Sequence, residues 1–181
     1  MKTLTLTVLA LTLPNLAMAQ PYSAPEDLKL IGEIFARALE IEQVSKMSDV
    51  ERMVYRVDGY NMEINSGVDF IQWLSVTSPE EVSGLPKHLE TIGAIHSSRI
   101  CEEAIKVAFP KGVPTKMSEY RATVDGYVLD PSKRPTRDRL AELARSQVEQ
   151  NLDLTAKLAS WIRNQSKAAQ PGATDNPDGA Q

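Results

Sequence analysis

The sequence predicts an all-α protein, in which a single compact multi-helix domain follows a cleaved secretory signal and precedes a disordered tail. Three observations predict this class. Apolar residues recur every three to four positions over most of the chain, helix start signals precede these runs, and strand-like alternation is nearly absent. The chain has 181 residues, a length that suits one domain. We divide it into a signal (1–19), a helical domain (20–166) and a tail (167–181).

The first residues are typical of a secretory signal peptide. Met1-Lys2 is a short positive start, residues 4–16 are largely apolar, and Ala17-Met18-Ala19 has the small-x-small cleavage pattern. The apolar run is shorter than the roughly 20 residues that span a bilayer. We therefore expect cleavage before Gln20, a periplasmic or secreted protein, and no membrane insertion after cleavage.

Two helices are predicted next. Ser23, followed by Pro25 and Glu26, predicts an N-cap and a first helix from Pro25 to Ser45. The segment from Ser48 to Glu51 predicts a capping box that opens a second helix, which runs to about Ile64. Asn65-Ser66-Gly67 then predicts a break, because Asn and Gly tolerate the left-handed backbone of a turn.

The middle of the chain predicts further buried helices. Residues 68–76 read as a short buried helix in which Phe70, Trp73 and Leu74 face the core. Ser78 starts another helix, and the Pro of Gly84-Leu85-Pro86 restarts it. Gly93 predicts a bend or a close helix contact before the helix of residues 94–109, which Pro110 ends.

Within that last helix, Ile95 and Cys101 are predicted to face the core. Cys101 is the only cysteine, so no intramolecular disulfide can form. It lies among apolar residues at helical spacing, which predicts a buried side chain rather than a reactive thiol. Core packing must therefore stabilise the fold.

The remaining elements are a short helix and a long one. Ser118 is predicted to cap a helix that runs to about Val128, and residues 130–135 form a loop. The longest apolar period in the chain predicts one helix from Thr136 to Asn164. Lys167 to Gln181 is rich in Gly, Pro and polar residues, and it cannot bury enough apolar surface to become ordered.

Charge is segregated along the sequence. The net charge of the chain is −4, but residues 20–69 carry ten acids and five bases, whereas residues 110–139 carry seven bases and four acids. The basic residues 133–139 lack interleaved aromatics, which favours a solvated loop over a nucleic-acid site. We predict that the first two helices bind another protein through their exposed acids. These are Glu33, Glu40, Glu42, Asp49 and Glu51.

Catalytic and metal-binding patterns are missing from the sequence. His88 and His96 are about 12 Å apart along a continuous helix, so surface histidines are favoured over a metal site. Glu63 has a functional interpretation and a structural one. It could be a general base or a ligand, or its carboxylate could accept N–H groups at the start of the next helix. The structural interpretation is favoured. Gln72 is read as tying a loop, and Trp161, like Trp73, as packing in the core. We expect no catalytic residue, metal or cofactor.

Three blocks between Tyr60 and Pro114 resemble a bacterial domain family of largely unknown function, named after the C-terminal domain of a DNA-mimic protein. The blocks have the family's pattern of Glu, Asn, Gly, Phe and Gln, then Leu-x-x-Ile-Gly-Ala, then Phe-Pro-x-Gly-x-Pro. Their residues here are Glu63, Asn65, Gly67, Phe70 and Gln72; Leu89, Ile92, Gly93 and Ala94; and Phe109, Pro110, Gly112 and Pro114. The first block lacks the family's second Gly. The resemblance implies an all-helical domain in which these residues are structural.

The resemblance also implies mimicry of DNA, which the charge does not support. A duplex carries about one negative charge per 1.7 Å, far denser than a net charge of −4 over this chain. The leading hypothesis is therefore an exported, non-catalytic protein-binding module of inhibitor or immunity type, with no nucleic-acid partner. Alternatives are a metal-dependent hydrolase that uses Glu63, His88 or His96, and a structural envelope component whose tail links it to another molecule.

Overall fold

The computed structural model describes residues 23–41, 43–66, 69–150 and 153–168. These residues form α-helices joined by short turns, with no strand among them, which confirms the all-α prediction. The helices are α1 Pro25–Leu39, α2 Asp49–Asn65, α3 Phe70–Val76, α4 Pro79–Thr91, α5 Ile95–Ala108, α6 Met117–Leu129, α7 Arg134–Gln150 and α8 Leu154–Ala168. Short 3-10 turns lie at Val44–Lys46 and Pro131–Lys133. The predicted signal (1–19) and residues 169–181 of the predicted tail lie outside the described residues.

Helix α2 lies at the centre of the packing. It contacts α1, α3, α4, α7 and α8, while α5 packs between α4 and α7. At its C-terminal half, Tyr60 packs with Phe70 and Trp73 of α3, and the Tyr60 and Trp73 ring centroids are 5.3 Å apart. No helix in the described part of the chain is long and apolar enough to cross a membrane.

Two of the four serines that were predicted to start helices are N-caps. The Ser48 and Ser78 hydroxyls each accept the backbone N–H of the residue three positions on, and the carboxylates of Glu51 and Glu81 accept in return. The other two predictions are wrong. Ala24 is the N-cap of α1 in place of Ser23, and α6 begins at Met117, so that Ser118 lies inside the helix.

Helix α4 runs through Pro86, so the predicted restart at this proline is wrong. Pro86 is buried on the apolar face of the helix, and its carbonyl accepts a hydrogen bond of 2.9 Å from the Ser98 hydroxyl of α5. Packing thus offsets the missing N–H. The bend at Gly93 is confirmed. Gly93 has φ +79°, and the Ala94 N–H bonds the Leu89 carbonyl in a helix-ending Schellman turn.

Helix lengths differ from the sequence prediction in two places. Helix α1 ends at Leu39 rather than Ser45, and the Arg52 guanidinium donates to the Met47 carbonyl at 2.8 Å in the segment that follows. The predicted helix 136–164 is two helices, α7 and α8. Helix α7 packs on α5 whereas α8 packs on α1. The apolar spacing is similar in both helices because each buries one apolar stripe. The stripe of α7 packs on α5, and that of α8 packs on α1.

Several predictions of burial are confirmed. Cys101 is fully buried, and burial raises the pKa of its thiol. Trp73 is buried in the core, and Trp161 is partly buried against it. Ile95, which was predicted to face inward, is exposed at the start of α5, so this prediction is wrong.

Candidate binding groove

A groove of about 250 Å³ lies between α1, α2, α3 and α4. Helix α2 supplies its floor, α1 supplies one wall, and α3 with the start of α4 supplies the other. The lining residues are Phe35, Leu39, Tyr55, Arg56, Gly59, Tyr60, Met62, Glu63, Trp73, Val76, Thr77, Glu81 and Leu85.

Exposed apolar side chains line the groove. Leu39, Met62 and Val76, from three different helices, are 61%, 46% and 62% exposed. Phe35 and Tyr55 stack with ring centroids 6.1 Å apart. Solvent-exposed apolar residues that converge on one concavity indicate a binding surface more strongly than the same residues scattered singly.

Arg56 is the cation of the groove, and only 14% of its side chain is exposed. Its Nη1 lies 3.3 Å from Nε2 of His88, and its Nη2 lies 4.0 Å from Oε1 of Glu80. A guanidinium has no acceptor, so Nε2 of His88 must accept this hydrogen bond. Burial and the charges of Arg56 and Arg52 lower the pKa of His88, which keeps the ring neutral for this role.

Carboxylates border the same groove. Glu63 and Glu81 line it, and Glu80 lies beside Arg56 with its side chain 90% exposed. The capping bonds of Glu81, from the backbone N–H and the hydroxyl of Ser78, both end on Oε2. The groove therefore combines an apolar lining, an acidic edge and one nearly buried guanidinium.

The structural role that the sequence suggested for Glu63 belongs to Asp69. The Asp69 carboxylate accepts the N–H groups of Ile71 and Gln72 at 2.9 and 3.2 Å and so caps α3. Glu63 lies in the last turn of α2, with its side chain at the groove. Both carboxylates are close to this turn in the sequence. The course of the backbone determines that Asp69, and not Glu63, caps α3.

The other residues of the first sequence block lie around the same turn. The Asn65 amide donates to the Asn61 side chain at 2.7 Å, Phe70 is fully buried, and Gln72 is exposed. Gly67 lies outside the described residues.

The second and third blocks occupy the two ends of α5. Leu89, Ile92 and Ala94 are buried around the Gly93 turn that joins α4 to α5. After α5, Phe109 stacks on Tyr120 with centroids 5.3 Å apart, and Gly112 has φ +91°. In the same loop, Pro110 is exposed and Pro114 is half-buried. These contacts are those of core and turn residues.

The acids predicted to bind a partner have varied surroundings. Glu33 lies 4.0 Å from Lys29, and Asp49 lies 3.4 Å from Arg52. Glu51 accepts the Ser48 backbone N–H and hydroxyl, and these bonds lower its pKa. Glu40 is exposed and directly follows Leu39 of the groove, and Glu42 lies outside the described residues.

The structure separates the two histidines. His88 is half-buried against Arg56, whereas His96 is exposed in the first turn of α5. Among the described residues, no group of three or more His, Cys, Asp or Glu side chains is placed to hold a metal ion.

The comparisons with known proteins give one match. The family model described as DMP19-like protein matches residues 45–165, about two thirds of the chain. The chain belongs to the DMP19-like family. No curated protein and no solved structure matches it. The DMP19-like match extends beyond the three sequence blocks into α8, but it starts after α1, so Phe35 and Leu39 contribute to the groove from outside the matched residues.

Sequence reasoning missed the groove as a site. Its signal lies in residues that break the helical pattern, since Leu39 and Met62 are apolar but fall outside the stripes that form the core. Arg56 gives no such signal, because a single Arg on a helix is ordinarily solvated. Its burial depends on α4, which is distant in sequence.

Proposed function

We propose that this member of the DMP19-like family is an exported, non-catalytic protein-binding module and that the groove is its binding surface. One observation carries the proposal: Leu39, Met62 and Val76 are exposed around one concavity bordered by carboxylates. Burying such side chains in a complex releases apolar surface from water, and this favours association.

The charges beside the groove support a protein partner that approaches through electrostatic attraction. Glu63, Glu80 and Glu81 lie at the groove, and Glu40 extends the acidic surface along α1. Charge at the rim of an interface mainly raises the association rate and makes binding sensitive to salt. Binding by this module should therefore weaken as salt increases.

Protein binding suits these charges better than DNA mimicry. Many exposed carboxylates of the described surface lie beside a base, as Glu142 does with Arg139 at 3.0 Å and Asp153 with Lys157 at 2.9 Å. A duplex presents about one uncompensated phosphate charge per 1.7 Å. Paired charges of both signs do not reproduce such an array.

Affinity capture tests the proposal. The tagged chain, purified after export, is incubated with an envelope fraction at low and at moderate salt, and each recovered protein is then purified and titrated in isolation. We expect one partner that binds saturably and more weakly at moderate salt. Glu63→Gln should weaken its affinity several-fold.

The control is Glu102→Gln, which removes an exposed carboxylate of α5 that is paired with Lys106 and does not line the groove. It should leave the affinity unchanged. Failure to recover any saturable partner, or equal losses from Glu63→Gln and Glu102→Gln, contradicts the proposed function.

A further inference from the structure

We propose that the occupant of the groove is a cationic amphipathic segment of the partner, which inserts an apolar side chain between α1 and α3. This inference rests on the proposed function and adds the chemistry of the ligand. It follows from three features of the groove: its apolar walls, its acidic edge and its single guanidinium.

The apolar walls of the groove indicate that part of the ligand is apolar. Phe35 and Leu39 face the groove from α1, Trp73 and Val76 face it from α3, and Met62 lies on the floor helix. Met is unbranched and polarisable, so it adapts to the shape of an inserted side chain. A volume of about 250 Å³ admits side chains rather than a broad folded surface. An amphipathic segment presents its apolar anchors in this way.

The edge sets the charge of the ligand. Glu63 and Glu81 line the groove, Glu80 adjoins it, and Arg56 is the only Lys or Arg among the lining residues. Because the Glu80 side chain is 90% exposed and that of Arg56 only 14%, a ligand that approaches from solvent meets the Glu80 carboxylate before the guanidinium. Lys or Arg side chains flanking the apolar anchor complement these carboxylates.

Arg56 sets where the backbone of the ligand lies. Its Nε is buried and has no hydrogen-bond partner among the described residues. Its Nη2 lies 4.0 Å from Oε1 of Glu80, which is beyond hydrogen-bond distance. A guanidinium with unmade hydrogen bonds favours an acceptor, and a peptide carbonyl supplies one without adding a charge.

Helix α1 supplies two of the lining residues, Phe35 and Leu39, from outside the matched family region. The residues that match the DMP19-like family begin at 45, after the wall formed by Phe35 and Leu39.

A designed peptide tests the inference directly. The probe is a synthetic helix about four turns long, with Leu on one face, Lys on the other and both termini blocked. The matched peptide carries Glu in place of each Lys. We expect the Lys peptide to bind the exported, purified chain at least about tenfold more tightly than the Glu peptide at low salt.

A pair of substitutions distinguishes binding in the groove from non-specific attraction between the Lys peptide and an acidic protein. Val76 in the groove and Val128 on α6 are both 62% exposed, so Val76→Arg and Val128→Arg make the same change in charge at equally accessible sites. Val76→Arg should weaken binding of the Lys peptide at least about tenfold, and Val128→Arg by no more than about twofold.

Three results would overturn the inference. They are equal binding of the two peptides, equal losses from the two Arg substitutions, and no saturable binding of the Lys peptide. Self-association that Val76→Arg abolishes would instead make a second copy of this chain the occupant. If a captured partner distinguishes Val76→Arg from Val128→Arg while the peptides do not, the proposed function stands and the inference about the ligand fails.

Discussion

At the scale of single residues, Arg56 and Asp58 show how burial decides chemistry on one helix. The Arg56 guanidinium uses the ring of His88, whose pKa burial lowers, as a hydrogen-bond acceptor. Asp58, two positions along α2, is half-buried, and this burial raises the pKa of its carboxyl to about 6. Both residues occupy positions where the fold holds an ionisable group against a desolvation cost.

Asp58→Asn should stabilise the protein at alkaline pH. Because the folded-state pKa is raised to about 6 from 3.8, the stability associated with the neutral carboxyl is complete below pH 3.8 and is lost as pH rises through 6. We expect a gain of about 1–3 kcal/mol at pH 8 and little change at pH 4. Urea denaturation at the two pH values measures both.

The control is Asp125→Asn on the exposed side of α6, which should change little at either pH. Equal gains from Asp58→Asn at pH 4 and pH 8 would contradict the account of Asp58, since the gain would then be independent of its ionisation.

Loss of the hydroxyl should change the free energy of unfolding differently at two buried tyrosines. The Tyr120 hydroxyl donates to the Leu74 carbonyl at 2.6 Å, whereas the Tyr60 hydroxyl has no hydrogen-bond partner among the described residues. We expect Tyr120→Phe to cost about 1–3 kcal/mol, because it leaves a buried carbonyl without its donor. Tyr60→Phe should be neutral or slightly stabilising.

Thermal and urea unfolding of the two variants provide the measurement. A loss from Tyr60→Phe as large as that from Tyr120→Phe would show that the Tyr60 hydroxyl has a partner in the folded protein.

At the scale of elements, the helix ends are set by local chemistry more than by the apolar period. Ser48 and Ser78 form reciprocal capping boxes, whereas Ser118, which the sequence alone predicted to be a cap, lies in the first turn of α6. A Ser near a helix start is ambiguous from sequence because one residue of offset moves it from the cap into the helix.

Ser78→Ala and Ser118→Ala test this difference. Ser78→Ala should destabilise the protein by about 1 kcal/mol, since it removes the acceptor of the Glu81 N–H. Ser118→Ala should be neutral or slightly stabilising, because Ala is the better helix former. The opposite order in urea denaturation would mean that the cap assignments are reversed.

The fold class was largely predictable, because apolar spacing identified most helices and the core position of Cys101. The failures share a cause. The break between α7 and α8 and the continuity of α4 through Pro86 depend on which helices pack together, and the sequence pattern is the same in either case. In the second and third family blocks, Leu89, Ile92, Ala94 and Phe109 are buried, and Gly93 and Gly112 have positive φ.

The candidate site was not predictable in this way. Its residues come from α1, α2, α3 and α4, and none of them forms a short motif. The predicted acidic surface on the first two helices identified the charge of the region, but the apolar groove beside it depends on the tertiary packing of four helices.

At the scale of the whole molecule, the groove lies where α1 meets the part of the chain that matches the DMP19-like family. The large core holds α2, α3 and α4 in place, and α1 completes the concavity. This arrangement presents exposed apolar residues without exposing the core. In a protein with no disulfide available, such a surface depends entirely on packing for its shape.

The most direct test of the central claim uses two methionines as reporters. Met62 lies in the groove and Met117 lies on α6, with exposures of 46% and 41%. With ¹³C-labelled methionine methyl groups, the captured partner is added to the exported protein and both NMR signals are followed. We predict that the Met62 signal shifts or broadens saturably while the Met117 signal stays in place. Saturable binding that moves Met117 and leaves Met62 unchanged would contradict the claim that the groove is the binding surface.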